Sequence, residues 1–221
     1  IEAGSLKRNF DVLLFADGAL PAKGAWGNER PSPQPKPEDT PAEMKAMTGN
    51  LTDPKTTPAI GEFLRSGGAV VAIGGSARFA ELFGAPLALA QSRIENGEAR
   101  PLDTKEFFIP GSVLRAQVDN RQPLAYGLPA QVDIFFNRSP TFVPARGGGT
   151  ATPVSWFQGR SLLRSGWAVG QEQLAGTIAV ADIDVGRGKL FVMGPEVVQR
   201  AQAYGTFKFL FNALHYGGAE R

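Results

Sequence analysis

The chain has 221 residues, 43% of them hydrophobic, enough to bury one sizeable core in a single large domain. Its formal net charge of +2 is small, and Lys and Arg lie beside acids, as in KPED and DTKEF, so no focused basic face for nucleic acid is expected. The absence of cysteine excludes disulfides, thiolate nucleophiles and Cys-ligated zinc or iron–sulfur sites, and no apolar run reaches the roughly 18–20 residues needed to span a bilayer.

The opening IEAGSLKRNFDVLLF reads like the interior of something longer, so a processed or excised segment of a larger protein is expected. Within it, Phe10 to Phe15 is a short apolar run between polar residues, predicted as a strand buried on both faces. From about 17 to 58, Pro21, Pro31, Pro33, Pro35, Pro37, Pro41, Pro54 and Pro58 interrupt nearly every window. That spacing predicts a long surface loop with no regular helix or central strand. Thr57 is then placed to cap a helix, Pro58 suits its first turn, and Ile60, Phe63 and Leu64 give it an apolar face that Gly67 and Gly68 end. Ala69 to Ile73 follows as a buried strand, then the turn Gly74-Gly75-Ser76 and a helix-like ARFAELFG. This helix–strand–turn–helix unit is the building block of an open parallel sheet.

Ser112 to Val118 alternates as a strand does, Val132 to Phe136 is another candidate, and SWFQGRSLLRSGWAVG supplies two short strands around Gly159. Ile178 and Val180 belong to a hairpin whose second strand starts at Leu190, joined across Gly186-Arg187-Gly188. Phe207, Leu210, Phe211 and Leu214 fall at i, i+3, i+4 and i+7, predicting an amphipathic helix that ends at Gly217. FLRSGGAVV and LLRSGWAVG look alike but sit in different contexts, so no internal repeat is read from them.

Chemistry is thinly supplied. A zinc site of the peptidase kind needs at least two histidines, and this chain has one, His215, near the end of the last predicted helix, where it favours the helix dipole. AIGGSARF has the outline of a nucleophile elbow with Ser76 as the candidate nucleophile; as a plain turn, Gly-Gly reverses the chain and Ser76 caps the next helix. No G-x-G-x-x-G or Walker pattern marks a phosphate site. Asp182 and Asp184 share one strand face and, with Glu196, are candidate oxygen ligands for a hard cation, although solvated hairpin acids are commoner. Trp156, Phe157, Trp167, Phe135, Phe136 and Phe142 gather in the middle third, mostly as core, with Trp156 or Trp167 the candidates for a sugar- or peptide-binding platform.

IGEFLRSGGAVVAIGG and the terminal GKLFVMGPEVV…GTFKFLFNAL resemble the second half of the class I glutamine amidotransferase-like fold. The resemblance implies an α/β, flavodoxin-like open sheet with flanking helices. It also implies a Cys at the elbow and a His-Pro-Glu turn after the last strand in working members. Here Gly74 or Gly75 stands at the elbow and Gly194-Pro195-Glu196 replaces His-Pro-Glu, so only Glu196 of the catalytic set survives. A nucleophile and a base are both missing, which leaves too little for acyl transfer.

Over roughly Phe10 to Gly217, through QPLAYGLP, DIFFNRSPTF and LLRSGWAVGQEQLAGTIAVADIDVGRGKLFVMGPEVVQRAQAYGTFKFLFNAL, the chain is similar to the C-terminal domain of large secreted bacterial zinc carboxypeptidases. That resemblance implies a single amidotransferase-like domain over 1–221 whose first strands precede Ile1, so that the sheet lacks an edge or borrows one from a neighbour. It implies a non-catalytic accessory role beside an upstream metallopeptidase domain, with zinc in that domain and none in this segment. The expected partners are that domain and a peptide or cell-wall polymer, in a secreted or periplasmic setting. The degenerate site is expected at Gly74, Gly75, Ser76, Gly194, Pro195 and Glu196, with no catalytic, cofactor or metal residue among them. Two other functions stand beside it: a serine hydrolase using Ser76 with His215 or an acid, and a carbohydrate- or peptide-binding module.

Overall fold

The computed structural model describes residues 1, 5–20, 36, 38–45, 51 and 55–219. The chain enters on one helical turn, α1 (Leu6–Asn9), and a short strand, β1 (Val12–Phe15). Most of the proline-rich stretch expected as a loop lies outside the described residues. Its described part holds a single helical turn, α2 (Ala42–Lys45), in which the carbonyl of Pro41 accepts from the amides of Met44 and Lys45 at 2.9 and 3.2 Å. Helix α3 (Thr56–Arg65) starts one residue before its expected cap. Thr57 therefore lies inside the first turn, and its buried hydroxyl caps nothing.

Strand β2 (Ala69–Ile73) is buried at every residue and leads through a 3₁₀ turn, Gly74–Arg78, into α4 (Phe79–Leu82). Then come β3 (Leu87–Leu89) and a separate hairpin of β4 (Ser92–Glu95) and β5 (Glu98–Pro101). The sequence reading missed that hairpin, although its turn is Asn96-Gly97, both with positive φ (53° and 82°), the pairing a two-residue hairpin loop favours. β6 (Ser112–Val118), β7 (Gln131–Phe136), β8 (Phe142–Pro144), β9 (Ala151–Trp156) and β10 (Leu163–Ser165) follow. The chain closes with β11 (Ile178–Val185), β12 (Gly188–Met193) and α5 (Phe207–Gly218).

These strands, save β4 and β5, build one open sheet with the order β1-β2-β12-β11-β9-β6. β1, β2 and β12 are parallel, in register at Phe15↔Ala72 and Met193↔Ile73. From β12 onward the pairing is antiparallel, starting with the expected hairpin, which closes at Val185↔Gly188 over Gly186-Arg187. β9 and β10 share one edge of β6 while β7 takes the other, and the β3–β8 pair joins at Ile178 of β11.

The inner parallel strands, β2 and β12, are buried on both faces because helices cover both. Val71, Ile73, Phe191 and Met193 pack in one core with Phe209 and Ala213 of α5, whereas Val70, Ala72, Leu190 and Val192 pack in the other with Ile60, Phe63 and Leu64 of α3. Alpha helices on both sides of an open sheet give the α/β class expected, with a sheet that is mixed rather than parallel throughout.

Two sequence expectations are corrected by this packing. β1 is an edge strand, paired with β2 alone among the described residues, and Leu14 is 47% exposed instead of buried. The buried face of α5 is Phe209, Ala213 and Gly217, not the Phe207–Leu210–Phe211–Leu214 stripe; Phe211 is 53% exposed. The reason is the approach distance. A Cβ on Gly217 would stand 2.7 Å from the Cβ of Ala69, so the helix lies on the sheet through its smallest residues, which only this rotation presents.

Candidate functional site

In open α/β sheets the ligand crevice lies beyond the carboxyl ends of the strands. Here three such ends meet: Ala16-Asp17 after β1, Gly74-Gly75-Ser76 after β2, and Gly194-Pro195-Glu196 after β12. The structure therefore brings together every residue expected at the degenerate site. It adds one that the sequence reading missed, Asp17, whose only signal was its position just past a strand-like run.

Asp17 ties the first two ends together, because its carboxylate accepts the amide N–H of Gly75 at 2.7 Å. Gly74 has φ of 61°, in the left-handed region, and a Cβ there would overlap the Asp17 carboxylate. Both constraints demand glycine at Gly74. Ser76 is fully buried, and its hydroxyl donates to the carbonyl of Ala16 at 2.6 Å. It is neither the exposed nucleophile of an elbow nor a helix cap; it fastens the β2 turn to the end of β1.

The third end is fixed by close backbone approach. Gly194 donates its N–H to the carbonyl of Ala179 at 2.9 Å, and a Cβ on it would overlap the carbonyl oxygen of Pro140. A histidine at this position has no room for its own Cβ. Glu196 follows, half-buried. Burial pushes its carboxyl pKa up, the nearby Asp17 charge pushes the same way, and Arg200 partly offsets both. The three strand ends thus hold two carboxyl groups near one guanidinium, with a Glu196 that holds its proton more tightly than usual. Among the described residues they bring together an acid and opposite charges, with no activated nucleophile beside them.

His215 does not complete the crevice. Gly217, two residues on, lies against Val12 and Ala69, the first residues of β1 and β2, so the end of α5 is at the opposite end of the sheet from Ser76. The acid pair on β11 is also elsewhere. Asp182 and Asp184 share a face as predicted, but Lys189 reaches both, with Nζ at 3.0 and 2.7 Å, at the start of β12, whereas Glu196 follows its end. Burial alone lowers the Lys189 pKa, yet its bonds to Asp184 and Asp182 more than compensate and hold it above the ordinary value. The ammonium takes the place proposed for a cation, and among the described residues no group of three or more His, Cys, Asp or Glu is placed to hold a metal ion.

Of the aromatic candidates, Phe136, Phe142 and Phe157 are core and Trp156 is partly covered. Trp167 is 61% exposed and meets Phe108 edge-on at 5.9 Å, with the Arg138 guanidinium 5.0 Å above the Phe108 ring.

No protein-family model matches this sequence, and no curated protein matches it. Among solved structures, the chain is similar to a beta-galactosidase from Bacillus circulans sp. alkalophilus at 10% identity and a TM-score of 0.45, over 76% of this chain and 21% of that one. It is similar to a cytoplasmic protein from Salmonella typhimurium at 11% identity and a TM-score of 0.47, over 96% of this chain and 72% of that one. A third similar structure is a putative GMP synthase protein from Thermoplasma acidophilum, at 11% identity and a TM-score of 0.45, over 73% of this chain and 64% of that one. This chain spans about a fifth of the length of the beta-galactosidase. Among the described residues no helix is long and apolar enough to cross a membrane.

Proposed function

We propose that this chain is a non-catalytic accessory domain with the class I glutamine amidotransferase-like architecture, carrying a crevice that has lost its acyl-transfer chemistry. The observation that carries the proposal is the pair of glycine positions. Gly74 is held against Asp17 and Gly194 against Pro140, so neither of these two positions accepts a side chain, and the hydroxyl of the elbow turn, Ser76, is buried and committed to Ala16. The sequence resemblance supports a finer reading: an appendage of a secreted or periplasmic bacterial zinc carboxypeptidase, with peptide hydrolysis and zinc confined to an upstream domain that this one packs against. Burial of Ser76 disfavours the serine hydrolase alternative, since nucleophilic attack requires a hydroxyl that substrate can reach.

An immunoblot of source cells and culture fluid with an antibody against this chain tests the appendage. A secreted band several times larger than 23.5 kDa is expected. A cytosolic band near 23.5 kDa would refute it.

A further inference from the structure

The hairpin of β4 and β5 stands apart from the main sheet. Its strands pair only with each other, at Ser92↔Pro101, Arg93↔Arg100, Ile94↔Ala99 and Glu95↔Glu98, and neither has a buried residue. Ile94 is 72% exposed, and a Cβ on Gly97 would meet nothing within 4 Å, so the tip is surrounded by solvent. Arg93 ties the ribbon to Glu106 at 2.7 Å, and the N–H of Leu102 donates to the carbonyl of Gln91 at 3.1 Å, both away from the tip. A two-stranded ribbon with no face to bury is only marginally stable in water, so opening it costs little free energy.

The loop that closes this ribbon is the one place in the chain where asparagine precedes glycine. The backbone nitrogen after an asparagine can close a five-membered ring on the side-chain carbon Cγ, and glycine, with no Cβ, leaves that nitrogen unhindered. Asn120, Asn137 and Asn212 precede Arg121, Arg138 and Ala213, and their side chains are engaged. Asn120 donates to Leu128 at 3.2 Å, Asn137 accepts from the N–H of Gly111 at 3.2 Å, and Asn212 donates to Leu124 and Tyr126 at 3.1 and 2.9 Å. Asn96 is exposed, and its side chain bonds to nothing among the described residues. While the turn is closed, Asn96 and Gly97 both keep positive φ. That hairpin turn places the Gly97 nitrogen across the Cα–C bond from the Asn96 side chain, so ring closure requires the ribbon to open.

We propose that Asn96 is a site of spontaneous deamidation, reached when the ribbon opens and holding it open afterwards. The Gly97 nitrogen attacks Cγ of Asn96; the N–Cγ bond forms, the Cγ–Nδ2 bond breaks, and the proton lost from Gly97 leaves with Nδ2 as ammonia. Water then opens the cyclic imide at either carbonyl, leaving aspartate or its β-linked isomer. Either product adds a carboxylate between Glu95 and Glu98, which already face each other across the ribbon. Arg93 and Arg100 offset those two acids at 2.6 and 3.2 Å, and then face one carboxylate more. The isomer also lengthens the backbone by a methylene in a two-residue loop, whose length fixes the register of the strands. This site does not depend on the reading of the crevice or of the parent enzyme.

The test incubates the 221-residue chain beside the blocked peptide acetyl-Ile-Glu-Asn-Gly-Glu-Ala-amide and follows both by mass and by ammonia release. The fragment holding Asn96 is expected to gain the mass of an amide converted to an acid, as two separable products, at a rate proportional to hydroxide concentration. That rate should lie within about tenfold of the peptide's, since the ribbon resists opening only weakly. Asn96→Gln, whose ring would be larger, should remove the gain, and Asn120, Asn137 and Asn212 should stay unmodified. In the modified protein the amide resonances of 92–101 should move and those of the main sheet should not. A chain that reacts more than about tenfold slower than the peptide would overturn the proposal. So would an equal gain at the other asparagines, a gain that survives in Asn96→Gln, or ribbon resonances that stay in place after modification.

Discussion

Replacing Gly194 with alanine places a methyl group against the carbonyl oxygen of Pro140, closer than real Cβ atoms approach any neighbour. Gly194 cannot back away, because its N–H is bonded to Ala179 at 2.9 Å and it follows directly on Met193, which is fully buried. Pro140 is backbone and cannot rotate aside as a side chain would. The cost is therefore in the upper part of the overpacking range, about 3 kcal/mol. With a urea m-value of roughly 2–3 kcal/mol/M, that moves the unfolding midpoint down by about 1 M. Gly205→Ala is the control, since a Cβ there meets nothing, and its change should stay within about 1 kcal/mol. A loss below about 0.5 kcal/mol for Gly194→Ala would refute the reasoning, and with it the claim that the turn after β12 has no room for a histidine.

Three further outcomes follow from the packing and the charges. Lys189→Met removes the ammonium that faces the buried Asp182, which is 7% exposed, and should cost about 3 kcal/mol by urea unfolding; Asp184→Asn, at a half-exposed carboxylate, should cost less than about 1 kcal/mol. Phe209→Ala should lose about 3–5 kcal/mol, whereas Phe211→Ala should stay within about 1 kcal/mol, which checks the rotation of α5 about its axis. Glu196 holds its proton to higher pH when folded than its ordinary 4.5, so the stability it contributes is present below its unfolded pKa and is lost as pH rises through the raised folded value. The urea midpoint of Glu196→Gln should therefore gain on that of the parent between about pH 4 and about pH 7; a difference between the two that does not change with pH would contradict the assignment.

The parallel strands were legible in the sequence because Ala69-Val70-Val71-Ala72-Ile73 and Leu190-Phe191-Val192-Met193 are unbroken apolar runs, the pattern of strands covered on both faces. The hairpin of β11 and β12 was legible from alternation about a glycine turn. β1 was misjudged since a four-residue run does not reveal how many neighbours it has. The phase of α5 was ambiguous: two stripes fit a 3.6-residue period, and a hydrophobicity count favours Phe207–Leu214, while close approach to Ala69 selects the smaller Ala213 and Gly217. The crevice glycines and Glu196 were readable at their turns. Asp17 was not, because its contact with Gly75 joins residues 58 apart, a distance that local pattern does not encode.

Turnover by the purified chain tests the central claim most directly. Release of ammonia from glutamine, and hydrolysis of a peptide and of an activated ester, would be measured beside the Ser76→Ala variant. The account predicts rates for the parent no higher than the uncatalysed background and no change on removing the Ser76 hydroxyl. Saturable turnover that disappears in Ser76→Ala would contradict it, and would mean that the hydroxyl bonded to Ala16 is released to act as a nucleophile.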